Sequence, residues 1–134
     1  MNFDYYFNVI GEYVFKNGIY DVDGSVFLIR PIDKIPFKFG KVTSLFSCSN
    51  NYLTPLENCP SWVGYDFNCI GNKLSSLKGC PDYIGHNFYC QGNKYLKKLD
   101  FLPNYIDNKL YCDESLKNSK EYRQYRILKK LKET

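Results

Sequence analysis

Apolar positions return along this chain at a spacing too long for one helix or one strand. Leu53, Leu56, Cys59, Val63, Phe67 and Cys69 are followed, 21 residues later, by Leu74, Leu77, Cys80, Ile84, Phe88 and Cys90. The segments LTPLENCPSWVGYDFNCIGNK (53–73) and LSSLKGCPDYIGHNFYCQGNK (74–94) are identical at 10 of 21 positions. A fixed set of apolar, turn and amide positions that recurs in this way marks the coils of a solenoid, each burying its apolar face against the next. Upstream, Val42, Phe46, Cys48 and Asn51 precede Val63, Phe67, Cys69 and Asn72 by 21 residues, and Ile32 and Ile35 stand in the same relation to Leu53 and Leu56. Downstream the step is 22: Leu96, Leu99, Leu102, Pro103, Ile106, Leu110 and Cys112 answer Leu74, Leu77, Cys80, Pro81, Ile84, Phe88 and Cys90, with one residue inserted near Tyr95. About four coils result.

Within a coil, Phe67 and Cys69 are predicted to point inward from one short strand, followed by Asn72 at a bend and Leu74 beyond it. Asn51, Asn72 and Asn93 are expected to stack as a ladder ending at Ser115, because a buried bend needs partners for its backbone amides. Cys59-Pro60 and Cys80-Pro81 belong to a return arm, where proline disfavours regular helix.

The order Phe-x-Cys-x-x-Asn-x-Leu resembles the leucine-rich repeat, Leu-x-x-Leu-x-Leu-x-x-Asn-x-Leu, over residues 32–115. It is closest to short bacterial and phage-type repeats in which Leu-x-x-Leu precedes a proline-containing arm. Gly64 and Gly85 depart from the pattern by taking its first leucine position, with Val63 and Ile84 supplying the apolar contact just before. The resemblance implies a leucine-rich-repeat-like, β-rich solenoid. By association it also implies a small phage or bacterial inhibitor or adaptor that docks on a host complex, such as a defence assembly.

The flanks carry other signals. Phe3, Tyr6, Phe7 and Ile10 have helical spacing while their aromatic content favours strand, and Gly11 is expected to end either element. Asn17-Gly18 between Glu12–Lys16 and Ile19–Asp23 is the pair that a two-residue hairpin turn demands. Asp23-Gly24 then leads into Ser25–Arg30, so the reading is a β-hairpin or small antiparallel meander that caps the solenoid, followed by a connection over Pro31–Gly40. At the other end, Asn118–Lys132 lacks glycine and proline, and Asn118-x-x-Glu121 resembles a capping box. Tyr122, Tyr125, Leu128 and Leu131, with Ile127 alongside, are expected to close the last coil. The chain thus divides, within one domain, into a capping region (1–31), the solenoid (32–115) and a C-terminal α-helical cap (116–134).

Composition fits this reading: 134 residues, 44% hydrophobic and 18% aromatic, make a globular rather than a disordered chain. No apolar run approaches the ~18 to 20 residues of a membrane span. The first residues, MNFDYYFNVIGEY, lack the basic and apolar blocks of a signal peptide, so a cytoplasmic protein without a membrane partner is expected, in the bacterial host if phage-encoded. A monomer is the favoured state. Residues 117–134 carry 7 Lys plus Arg and 2 Glu, so the positive charge of the whole chain resides in the C-terminal segment.

Six cysteines raise the question of redox or metal chemistry. Cys48, Cys69, Cys90 and Cys112 share one repeat position, and Cys59 and Cys80 another, which is the signature of core packing by small apolar thiols. No Cys-x-x-Cys pair and no His at ligand spacing accompany them, so neither a metal nor a cofactor is expected. The single histidine, His86, has no evident nucleophile partner, and the chain shows no phosphate loop or nucleophile elbow. No catalytic residue is assigned, and a non-enzymatic protein is expected.

Binding remains. Strand alternation sends Asp66, Asn68 and Ile70 outward, then Asn87, Tyr89 and Gln91, then Lys109, Tyr111 and Asp113, with Leu45, Ser47 and Ser49 in the first coil. Tyr65, His86 and Asn108 sit just before these rows. The tyrosines are rigid, amphipathic anchors, and a protein partner on this strand face is the leading expectation. The second is a nucleic-acid-associated inhibitor using Lys120, Arg123, Arg126 and Lys130, with Lys117, Lys129 and Lys132, against phosphates. The third is a structural or self-assembling repeat.

Overall fold

The computed structural model describes residues 2–133, and these form a parallel β-solenoid. Each coil contributes two strands, where the sequence pattern predicts one. They are β3 (Lys38–Val42) and β4 (Phe46–Ser47), β5 (Trp62–Val63) and β6 (Phe67–Asn68), β7 (Tyr83–Ile84) and β8 (Phe88–Tyr89), β9 (Tyr105–Ile106) and β10 (Leu110–Tyr111). They stack into two parallel rows, β3-β5-β7-β9 and β4-β6-β8-β10. Val42, Val63, Ile84 and Ile106 are in register in the first row, and Phe46, Phe67, Phe88 and Leu110 in the second. The sequence steps of 21, 21 and 22 are thus the rungs of the structure.

The two rows meet at a corner, and the corner explains the glycines. A Cβ on Gly64 would lie 2.1 Å from the Thr43 carbonyl oxygen, and one on Gly85 would lie 2.1 Å from that of Gly64. No side chain fits there, so the first leucine position of the resembling pattern is a bend between two strands. The third side of each coil is the Leu-x-x-Leu arm. It buries Leu53 with Leu56, Leu74 with Leu77, and Leu96 with Leu99, without forming helix or strand.

The core is a column of aligned side chains. Phe39, Phe46, Phe67 and Phe88 follow one another at ring-centroid distances of 5.1, 5.8 and 5.6 Å. Cys48, Cys69, Cys90 and Cys112 are buried beside them, as is Cys59, whereas Cys80 is half-exposed. The Sγ of Cys69 and of Cys90 donates to the carbonyl of Tyr89 and of Tyr111 in the next coil. Burial, which disfavours the thiolate, pushes the Cys59, Cys69 and Cys90 thiols well above their usual range and Cys80 up to about 12.

The amide ladder forms as expected at three of its positions. Asn72 Oδ1 accepts from Leu53 N at 3.0 Å, while its Nδ2 donates to the carbonyls of Cys48 (2.9 Å) and Cys69 (3.1 Å). Asn93 repeats this with Leu74 N, Cys69 O and Cys90 O, and Asn51 binds Ile32 N and Arg30 O. Ser115 is not its last step: it lies exposed in a 3-10 turn, Glu114–Leu116.

The N-terminal region resolves its ambiguity by dividing. Phe3–Tyr6 form a single helical turn (α1), and Phe7–Lys16 a ten-residue strand (β1) that runs through Gly11 instead of ending there. Asn17 and Gly18 have φ of 54° and 77°, the positive pair that the hairpin turn requires. The meander is corrected to a hairpin, because Ile19–Leu28 is one strand (β2) and Asp23-Gly24 makes no turn. β2 belongs to both rows: its first half pairs with β3 and its second with β4. Gly24, with φ 144°, sits where β2 passes from one row to the other.

At the other end α2 (Lys120–Lys132) is capped by Ser119, whose Oγ accepts from Tyr122 N, one residue later than the expected Asn118. Its hold on the solenoid is narrower than the stripe predicts. Tyr122 and Tyr125 are half-buried against the core, but Ile127, Leu128 and Leu131 are 59 to 63% exposed. What the helix does is satisfy the open edge: Tyr125 Oη accepts from Leu110 N, and Lys129 Nζ donates to the carbonyls of Ile106 and Asp107. Beyond these contacts a cleft of about 470 Å³ separates the helix from the last coil.

Candidate interaction surface

Outward side chains of successive coils stand one above another, about a strand spacing apart, so flat side chains can stack. Three such stacks form. On the first row, Trp62, Tyr83 and Tyr105 lie at centroid distances of 4.9 and 5.0 Å with ring planes within 6° of parallel. Lys41 Nζ covers the free face of Trp62 at 4.3 Å, and Lys132 Nζ that of Tyr105 at 5.4 Å. At the corner, Tyr65 stacks on His86 at 4.3 Å. On the second row, Tyr89 stacks on Tyr111 at 4.8 Å.

Stacked in this way, the inner rings spend their faces on one another and present edges and hydroxyl groups to solvent. Tyr105 Oη donates to Asp107 Oδ1 at 2.6 Å, and this bond pushes its phenol above the usual range. Tyr89 Oη accepts from Asn87 Nδ2 at 3.0 Å.

The structure separates the predicted site residues. Tyr65, Tyr89, Tyr111 and His86 lie together on the outer surface as paired rings. Asn87 does not: it is 6% exposed, and its Oδ1 accepts from Lys109 N and Asn108 Nδ2 in the next coil. Asp66 does the same one coil earlier, its Oδ1 accepting from Asn87 N at 2.9 Å and bonding His86 Nδ1 at 2.7 Å. Alternation fails at both because they stand at the corner, before the strand begins. Asn68, Ile70, Gln91 and Asp113 are half-buried, with Asn68 Oδ1 accepting from Ile70 N and Asp113 Oδ1 from Gly92 N. Lys109 is exposed.

Trp62, Tyr83 and Tyr105 were not among the predicted residues, although a signal for them exists. Each follows a proline by two positions, in Pro60-x-Trp62, Pro81-x-Tyr83 and Pro103-x-Tyr105, directly before the buried Val63, Ile84 or Ile106.

In the basic segment, several cations are engaged within the chain. Lys117 pairs with Glu114 at 2.8 Å, Arg123 donates to Asn118 O at 2.7 Å and Arg126 lies 5.9 Å from the Tyr122 ring. Lys120 and Lys130 are exposed. Among the described residues no group of His, Cys, Asp and Glu is arranged to hold a metal ion, and no helix is long and apolar enough to cross a membrane. Comparison of the chain with protein-family models, with curated proteins and with solved structures finds no match.

Proposed function

We propose that the protein is a non-enzymatic, leucine-rich-repeat-like protein-binding module that docks through the outer face of its second strand row and the adjoining corner. The observation that carries this reading is the pair of parallel ring stacks, Tyr65 with His86 and Tyr89 with Tyr111, held side by side on consecutive coils. Rings fixed by stacking lose little conformational freedom on binding, and tyrosine edges offer apolar contact beside a hydroxyl, the combination enriched at interface hot spots. The resemblance to short phage-type repeats extends the proposal: a small inhibitor or adaptor acting on a host protein complex, in counter-defence, within the cytoplasm. The basic helix supports a nucleic-acid role less well, since Lys129 and Lys132 are committed to the last coil.

The test is affinity capture from the native host with the wild-type chain, with Tyr89→Ala/Tyr111→Ala, and with Lys97→Ala/Lys98→Ala on the opposite arm as control. A specific partner should be retained by wild type and control and lost by the tyrosine variant. Its undiminished retention by that variant, shown to be folded, would refute the assignment.

A further inference from the structure

β1 pairs only with β2, so among the described residues its other edge has no strand beside it. Long unpaired edges invite another chain, and natural proteins blunt them with proline, bulges or charged side chains. Over Glu12–Lys16 this one has no proline and no bulge, and its two charges, Glu12 and Lys16, are opposite in sign, so they can pair with those of an incoming strand. In a two-residue hairpin Lys16 and Ile19 exchange hydrogen bonds, so alternate residues, Tyr13 and Phe15 among them, aim N–H and C=O away from β2. Tyr13, Val14 and Phe15 are 41, 62 and 58% exposed.

The usable edge is short, and its ends are defined. Gly11 and Gly24 are directly opposed with φ of 127° and 144°, at the point where the hairpin crosses the corner between the two rows. A straight strand laid along the edge cannot follow through that bend. The straight part is therefore Glu12–Lys16, five residues with Val14 at the centre, a carboxylate at one end and an ammonium at the other.

We propose that this edge is a homodimer seam: two copies pair antiparallel over Glu12–Lys16 about a twofold axis at Val14. The register places each Glu12 opposite the partner's Lys16 and each Tyr13 opposite the partner's Phe15, with Val14 opposite its own copy. Tyr13 and Phe15 then exchange backbone hydrogen bonds. Their rings, on the core side of the hairpin with Phe3 and Tyr20, continue the aromatic column from one copy into the next. The charge pattern adds an independent argument. Glu12 stands directly across from Asp23, a like-charge pair that destabilises an isolated hairpin, and neither is ion-paired within the described chain. The partner's Lys16 supplies the missing cation. The outcome is a head-to-head dimer in which the first strand rows of both copies form one sheet, leaving both ring-stack faces accessible.

The experiment is sedimentation equilibrium on the full chain with single and combined charge variants, both positions being exposed. Wild type should dimerise. Glu12→Lys alone and Lys16→Glu alone each replace two attractive cross-strand pairs by repulsive ones and should weaken dimerisation about 30-fold. An equimolar mixture of the two variants should form a heterodimer, and the double variant should recover the homodimer, because only this register restores both pairs in each case. A monomeric wild type at every concentration would overturn the proposal and leave the edge to a strand of another protein. Dimerisation indifferent to these charges, or not restored by the mixture, would overturn it as well.

Discussion

Asn72 binds the backbone of Leu53, Cys48 and Cys69 with one side chain, and two substitutions there separate these bonds. Asn72→Ala removes the acceptor of Leu53 N and the donor to Cys48 O, while Cys69 O retains Asn93 Nδ2. Leu53 is fully buried, so its amide has no access to water. One orphaned buried donor costs about 1 to 3 kcal/mol and the weakened carbonyls add to it, giving about 3 to 5 kcal/mol in all. Against a total of about 5 to 15 kcal/mol for a domain, that is a large fraction.

Asn72→Asp keeps the shape and the bond from Leu53 N but turns a carboxylate oxygen toward two carbonyls. Only the protonated acid can donate there, so its folded pKa must rise above the unfolded value of about 3.9. The stability that depends on this proton is present below about pH 4 and is lost as pH rises through the folded pKa. Thermal melts at pH 4 and pH 7, each referred to wild type, should therefore show the Asp variant impaired mainly at pH 7 and the Ala variant impaired equally at both. An Asp variant with the same deficit at both pH values would refute the bonding assigned to the ladder.

The remaining predictions concern thiols and the corner. Native thiol labelling should reach half-exposed Cys80 first and Cys69 last, and rapid uniform labelling would contradict the packed column. Since the folded thiols of Cys59, Cys69, Cys80 and Cys90 titrate above their unfolded range, each contributes stability below pH ~8.5 and withdraws up to about 1.4 kcal/mol per pH unit above it; a melting temperature flat from pH 8 to 10 would exclude this. Gly85→Ala should cost about 2 to 4 kcal/mol in denaturant titration, because its Cβ meets backbone that cannot move aside. Gly18→Ala, at φ 77° but in open space, should cost only about 1 to 2 kcal/mol.

The parts of the fold legible in the sequence are those that repetition reports. Core positions recur because each coil buries the same sites, and the asparagines recur because each bend leaves the same amides unpaired. The first strand row is not legible because a two-residue strand such as Trp62–Val63 contains no alternation to read. Asp23-Gly24 leaves hairpin and meander both open, because the sequence does not distinguish a glycine that bends a strand around a corner from one that reverses it. The helix stripe overstated its own burial for a related reason. Periodicity shows that Tyr125, Leu128 and Leu131 share a face, but the direction in which the helix leaves the solenoid decides how much of that face is covered.

The same distinction bears on the interaction surface. In a solenoid, inward positions are fixed by packing, and outward positions are usually taken to be available for recognition. Here positions that alternation assigns outward also build the stack: Asp66 and Asn87 turn in at the corner to cap the next coil's backbone, and the outward rings lie face to face along the axis. What remains for a partner is the edge of each ring, its hydroxyl, and the exposed Tyr65 at the corner. A binding face of this kind is stiff, and its affinity should depend on how well a partner matches a fixed relief rather than on adjustment by the protein. The two-residue strands beneath it serve that end, because ladder bonds between coils, not the strands' own length, hold the rings in place.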